Sequence, residues 1–362
     1  MPVTEEERED IMTPLNRTRR EFLRQCAAVS ASATIFRGDG WAAPPAAPGF
    51  RTRGVVLVPE DLTLADWPER ANRARLSTIA LHPFPGTVIK WIRAEAGQRF
   101  LEQCRTLGLE VEYELHAMRE LLPRSRFAQT TDLFRMDANG QRTADANCCP
   151  SNDRTLEAIA QAAVEIAQTL RPTTGRYFYW GDDGRPWCQC PKCRTLSESD
   201  QALLVENAMC EALRRQNPQA QVAHLAYHNT LQPPKQIKPA AGVFLEYAPI
   251  QRRYDIPYEQ QQNPTDRDSL SALDANLNVF PRETAQVLEY WLDVSRFSKW
   301  KRPSVKLPWR KDVFLADLDT YHRRGIRHVT TFAVFVDADY QKRYSDLTFI
   351  DDYGAGLAQS RP

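Results

Sequence analysis

The chain has 362 residues, 42% of them hydrophobic and 26% charged, with a net charge of +1. That balance can bury a core, and it offers no basic field that would recruit nucleic acid. No run approaches the roughly 18 apolar residues that cross a bilayer.

Residues 1–43 read as a unit separate from the fold. Arg19-Arg20 with Phe22-Leu23, then the mildly apolar Cys26–Phe36 and a small-residue exit at Trp41-Ala42-Ala43, form the pattern of a twin-arginine export signal. A basic helical tail is the alternative. The signal implies export machinery as a partner and a periplasmic or extracellular location. Residues 44–52 then form a linker, and 53–362 a single catalytic-type domain.

From Gly54 onward, apolar strand-like runs alternate with helical patterns. Strands are expected at Gly54–Pro59, Ser77–His82, Val111–His116, Arg176–Asp183, Val222–His228, Gly242–Pro249, Ser304–Trp309 and His328–Asp337. Apolar spacings of three and four predict helices over Val88–Leu107, Asn152–Leu170, Asp200–Arg215, Glu283–Phe297 and Val313–Arg323. Alternation of this kind implies a parallel sheet. The domain is long enough to close eight such units into a (β/α)8 TIM-type barrel. A doubly wound open sheet is the alternative, but no GxGxxG or P-loop pattern follows the first strand. Helices are faint after the first, fifth and eighth strands.

The most informative stretch is Arg176–Cys193, RYFYWGDDGRPWCQCPKC. An aromatic strand runs into adjacent carboxylates, Asp182 and Asp183, which cannot be buried without partners and so should emerge where the strand ends. The structural alternative is turn chemistry in Asp-Asp-Gly. The other strand ends carry Glu60 and Asp61, His82, Glu114 and His116, His228, Glu246 and Tyr247, Trp309, and Asp337. Tyr179, Trp180, Trp187, Tyr227, Tyr247 and Trp309 offer flat apolar faces of the kind on which pyranose rings stack. Together the strand ends read as a sugar pocket.

Cys188, Cys190 and Cys193 supply three thiolates, one short of a tetrahedral structural zinc site. Cys149 or Cys148, from the neighbouring loop of a barrel, supplies the fourth. Disulfides are the alternative in an exported protein, although a twin-arginine substrate crosses the membrane folded and can be loaded with metal first. Cys104 and Cys210 fall on apolar helix faces and read as core residues.

The segments LEVEYELHAMRELLP, NCCPSND, YFYWGDDGRPWCQCPKC, VAHLAYH and FLEYAP resemble the domain associated with glycoside hydrolase family 163, over roughly Gly54–Gly356. The resemblance implies a barrel glycosidase acting on glycans or glycoproteins as an endo-β-N-acetylglucosaminidase, with no cofactor needed for catalysis. In a substrate-assisted scheme the 2-acetamido oxygen of the sugar is the nucleophile. By analogy with other barrels that carry an acidic doublet after strand 4, Asp182 then polarises the acetamide and Asp183 is the general acid. Glu246, alone in the apolar VFLEYAP, is either an ion-pair partner of a pocket arginine or a working carboxylate. An exo-acting uronidase-like enzyme and a non-catalytic carbohydrate-binding barrel remain alternatives.

Overall fold

The computed structural model describes residues 49–261 and 270–359. The export reading, over residues 1–43, lies outside them. Strands β1 (Thr52–Leu57), β2 (Thr78–Leu81), β3 (Glu110–His116), β4 (Arg176–Trp180), β5 (Gln221–Ala226), β6 (Val243–Tyr247), β7 (Gln286–Glu289) and β8 (His328–Phe332) pair in chain order. Every pairing is parallel, and Val55 of β1 faces Ile79 of β2 on one side and Thr331 of β8 on the other, which closes the sheet. The fold is the expected (β/α)8 barrel. Its strands are buried on both faces, which is why they read as nearly unbroken apolar runs.

The outer layer contains α1 (Trp67–Arg73), α2 (Pro85–Arg93), α3 (Glu95–Leu107), α4 (Asp153–Thr169), α5 (Glu198–Gln216), α6 (Leu270–Asn276), α7 (Lys311–Arg323) and α8 (Thr348–Ala358). The single helix expected over Val88–Leu107 is two, because Ala94 is extended. The two pack so closely that a Cβ on Gly97 would lie 2.3 Å from the Trp91 carbonyl oxygen. Between β5 and β6 the chain forms only the short turn His228–Thr230 and no α-helix, consistent with the faint signal there. Among the described residues no helix is long and apolar enough to cross a membrane.

The seventh strand departs from expectation. It is Gln286–Glu289, inside the segment read as a helix, while Ser304–Trp309 belongs to the connection from β7 to α7. Val287 and Trp291, and Leu288 and Leu292, stand four residues apart and imitate a helical face, but Val287 is held between Tyr247 of β6 and Val329 of β8. Trp309 is therefore not at a strand end. Its ring packs on Phe314 of α7, and its indole N–H donates to Asp352 of α8 at 3.2 Å.

The barrel interior is polar at its centre. Gln286 Nε2, on β7, lies 3.2–3.3 Å from Glu246 and Thr330 on the neighbouring strands β6 and β8 and from Glu114 of β3, and the last of these contacts crosses the barrel axis. Arg176 of β4 donates to Gln286 at 3.2 Å, lies 3.9 Å from Glu112 of β3 and stacks over Phe244. Outside the barrel wall a second buried cation, Arg252, bridges Glu289 (3.1 Å) and Asp317 (2.6 Å).

Two stability tests follow from these groups. Arg252→Met strands two buried carboxylates and should cost about 3–5 kcal/mol in urea unfolding, whereas Arg253→Met, in an exposed pair, should stay within about 0.5 kcal/mol. Loss of water around Glu246 pushes its carboxyl from 4.5 up to about 8. The stability this protonated group contributes is thus complete below pH 4.5 and is lost as pH rises through about 8. Glu246→Gln should flatten that decline, read from unfolding midpoints across the same range.

Candidate active site

A cavity of about 310 Å³ opens at the carboxyl ends of the strands, the face on which barrel enzymes carry their sites. Strand alternation decides which residues reach it. Trp180, at the end of β4, shares the inward face with Arg176 and Phe178, and its indole N–H donates to Glu246 one layer below at 2.8 Å. Trp180, His82, His116 and Phe332 form the floor, while Tyr227, Ile250, Leu288 and Tyr290 line the walls. Trp300 stands at the rim with 65% of its surface exposed.

The two floor histidines are held neutral. His82 Nδ1–H donates to the Glu114 carbonyl at 2.7 Å, and His116 Nδ1–H donates to the Gly181 carbonyl at 2.8 Å, since a carbonyl can only accept. Burial lowers both, His82 to about 3 with the neighbouring His116 adding to the effect. Each therefore keeps Nε2 as a hydrogen-bond acceptor.

The acidic doublet divides. Asp182 turns away from the cavity, where it accepts from the Arg124 guanidinium and from the Asn147 backbone N–H at 2.6 Å. Its own backbone N–H returns a bond of 2.9 Å to the Asn147 side chain, so it lines only a small side pocket beside Trp187. Asp183 enters the main cavity with a side chain 63% exposed, and its carboxylate lies 4.0 Å from His116 Nε2. It also borders a shallower groove of about 710 Å³, shared with His228, Gln251, Arg296 and Trp300.

A second carboxylate, Asp293, reaches the same cavity from the segment after β7. Its carboxylate accepts from Ser295 Oγ at 2.6 Å and caps the helical turn Val294–Phe297 through the Arg296 backbone N–H. Burial raises it from 3.8 to about 6 against the opposing pull of those hydrogen bonds. Asp183 and Asp293 are the two carboxylates among the residues lining the cavity. The expectation of a helix over Glu283–Phe297 hid Asp293, Tyr290 and the strand end that delivers them.

The remaining expected residues take other places. Glu246 is fully buried below Trp180, and Glu114 belongs to the same interior layer. Tyr179 and Tyr247 face outward from their strands. Tyr179 packs on Tyr177, and the Tyr247 hydroxyl lies 3.0 Å from that of Tyr258. Trp187 is buried beneath Gly181, where an added Cβ would come within 3.2 Å of its ring. Asp337 caps the short helix Ala338–Tyr344 and pairs with Arg302 at 2.6 Å, away from the cavity. The sulfurs of Cys149, Cys188, Cys190 and Cys193 lie within 4.8 Å of one another, whereas Cys148 belongs to the main core.

No curated protein matches the chain in sequence. A GH5-4 broad specificity endoglucanase from an uncultured bacterium aligns in structure with a TM-score of 0.46 and 10% identity, over 80% of this chain and 84% of that one. For a GH18 chitinase from Pseudoalteromonas aurantia the values are 0.47 and 7%, over 85% and 100%. For an alpha-amylase from Lactobacillus plantarum they are 0.45 and 11%, over 84% and 80%. These are likenesses of fold. In sequence, the family described as a domain of unknown function, DUF4838, matches residues 56–297, from β1 through the turn that Asp293 caps; the chain belongs to that family.

Proposed function

We propose that this protein is a glycoside hydrolase that cleaves N-acetylated glycans at internal linkages, an endo-β-N-acetylglucosaminidase-type activity. The observation that carries the reading is the aromatic cavity lined by two carboxylates, Asp183 from the β4 side and Asp293 from the β7 side. Their environments differ in the way an acid and an anion require. Asp293 is buried and holds its proton to about pH 6, while Asp183 is largely exposed. The groove that continues past His228, Gln251 and Trp300 leaves room for sugars on both sides of a cleaved bond, which supports endo action.

In the proposed mechanism the acetamido carbonyl oxygen attacks the anomeric carbon, and the bond to the leaving oxygen breaks. Asp293 donates its proton to that oxygen. Asp183 accepts a hydrogen bond from the acetamide N–H and stabilises the cationic oxazolinium ring as it forms. A water then gives one proton to Asp293 and its hydroxyl to the anomeric carbon as the bond from that carbon to the acetamido oxygen breaks, which restores the acetamide and the protonated acid. His82 and His116 accept from sugar hydroxyls through Nε2, and Trp180 and Trp300 supply apolar faces. Asp182 becomes a positioning residue, held by Arg124 and Asn147, and Glu246 supports the floor from below. This reading shifts the proton donor from the doublet to Asp293 and leaves the doublet with one anion at the site.

Asp293→Asn should lower turnover by about 10²–10⁴ on glycans with poor leaving groups and much less on activated aryl N-acetylglucosaminides. In the unmodified protein kcat/KM should fall as pH rises through about 6, because the protonated form of Asp293 is the active one, and the variant should lose that limb. Asp183→Asn should be costly with either leaving group, since it acts on the acetamide. Turnover of aryl glucosides or glucuronides as fast as the N-acetylated substrate would sink the substrate-assisted reading. Retained glycan binding without any turnover would instead support a carbohydrate-binding barrel.

The export reading leads to a separate measurement. Replacing Arg19 and Arg20 by Lys should leave the precursor in the cytoplasm, and normal release of that variant would contradict a twin-arginine signal.

A further inference from the structure

We propose that Cys149, Cys188, Cys190 and Cys193 bind one zinc ion, and that this ion fixes the loop that presents Asp182 and Asp183. The donor set is four thiols, which suits zinc. A tetrahedral ion with bonds of about 2.3 Å separates its sulfurs by about 3.8 Å. Here Cys149 Sγ lies 3.8 Å from Cys190 Sγ and 3.9 Å from Cys193 Sγ, and all four sulfurs fall within 4.8 Å of one another. A disulfide would bring a pair to about 2.05 Å, and none of the four is bonded to another.

The surroundings are those of a thiolate cluster. Binding releases the four thiol protons and leaves a net charge of −2 on the ion and its ligands, which needs donors once buried. The Met136 and Cys190 backbone N–H groups point at Cys188 Sγ from 3.3 and 3.5 Å. Ser151 Oγ lies 3.0 Å from Cys193 Sγ, and Arg142 approaches Cys188 at 3.9 Å. Outer partners of this kind orient ligands and tune affinity.

The ligands come from two barrel loops, Cys149 from the β3–α4 connection and the others from β4–α5. Gln201 of α5 stitches the second loop, accepting from the Cys188 N–H at 3.0 Å and donating to the Cys188 and Cys193 carbonyls at 3.2 Å. Two residues before Cys149, Asn147 donates to the Arg185 and Pro186 carbonyls at 3.0 Å and exchanges two hydrogen bonds with Asp182. A metal bond at Cys149 thereby sets Asn147, and Asn147 sets the start of the loop on which Asp183 sits. The site is structural, since four protein ligands leave no open position for a substrate.

The test uses the full chain produced in the cytoplasm and purified without added metal. Elemental analysis should find one zinc per chain, and Cys149→Ser should lose most of it while Cys148→Ala, one residue away in the main core, keeps it. If the serine variant does not fold, cobalt exchange into the unmodified protein replaces it, and the intense visible absorption of a tetrahedral cobalt thiolate is expected. Removing the metal with a chelator should speed amide exchange across Gly181–Arg194 and leave β1, β2 and β8 unchanged. Metal-free protein with its cluster cysteines paired as disulfides, iron in place of zinc, or full zinc retention in Cys149→Ser would overturn the site. Unchanged exchange across Gly181–Arg194 after zinc removal would overturn the bracing role. None of these readouts depends on glycosidase activity.

Discussion

Inside the barrel one guanidinium serves three carboxyl groups, and the position of the pocket floor depends on how that imbalance is resolved. Arg176 reaches Glu112 and Gln286, and Gln286 passes hydrogen bonds on to Glu114 and Glu246. Burial without enough positive charge pushes all three carboxyls upward, Glu114 further by the nearness of Glu246. Protons held in the layer remove the excess negative charge and leave a hydrogen-bonded plate across the barrel. Trp180 rests on that plate through its indole N–H. Because Trp180 is the centre of the floor, the depth of the cavity is set by charge balance among buried residues that do not line it.

The same layer explains why much of the fold was legible in the sequence and part of the site was not. Parallel strands buried on both faces leave a strong apolar signal, and seven strands and the cysteine-bearing loop lie where the residue pattern places them. β7 escaped because it is only Gln286–Glu289, too short to show a period of two, and the apolar residues after it imitate a helix. The error carried Trp309 into the expected site and hid Asp293. Glu246 is harder for a different reason. A lone acid in an apolar strand signals either a ligand or a buried partner, and the choice depends on Gln286 and Trp180, which are 40 and 66 residues away. Tyr179 and Tyr247 show the same limit, since strand alternation fixes that neighbours face opposite ways but not which set faces inward.

The doublet after β4 shows how adjacent side chains separate into different environments. Asp182 is drawn toward Arg124 and the Asn147 N–H, and the backbone turn that satisfies it throws Asp183 the other way, into the cavity. One carboxylate is spent on loop geometry so that the next stands open. The sequence pattern Asp-Asp-Gly suggests both turn chemistry and function, and each description fits one member of the pair.

Asp183 and Asp293 reach the cavity on segments with separate supports. The first depends on Asn147 and the cysteine-bearing loops, the second on the cap it forms over Val294–Phe297 and on the bond from the Ser295 N–H to the Val334 carbonyl at 3.1 Å. In the mechanism proposed above, the span between the two carboxyl groups must match the distance from the acetamide N–H to the leaving oxygen. Here that span is the difference between two independently anchored positions rather than a property of one rigid element. Small insertions in either loop would reset that span while the barrel stays the same, so the shape of the pocket can change without any change to the core beneath it.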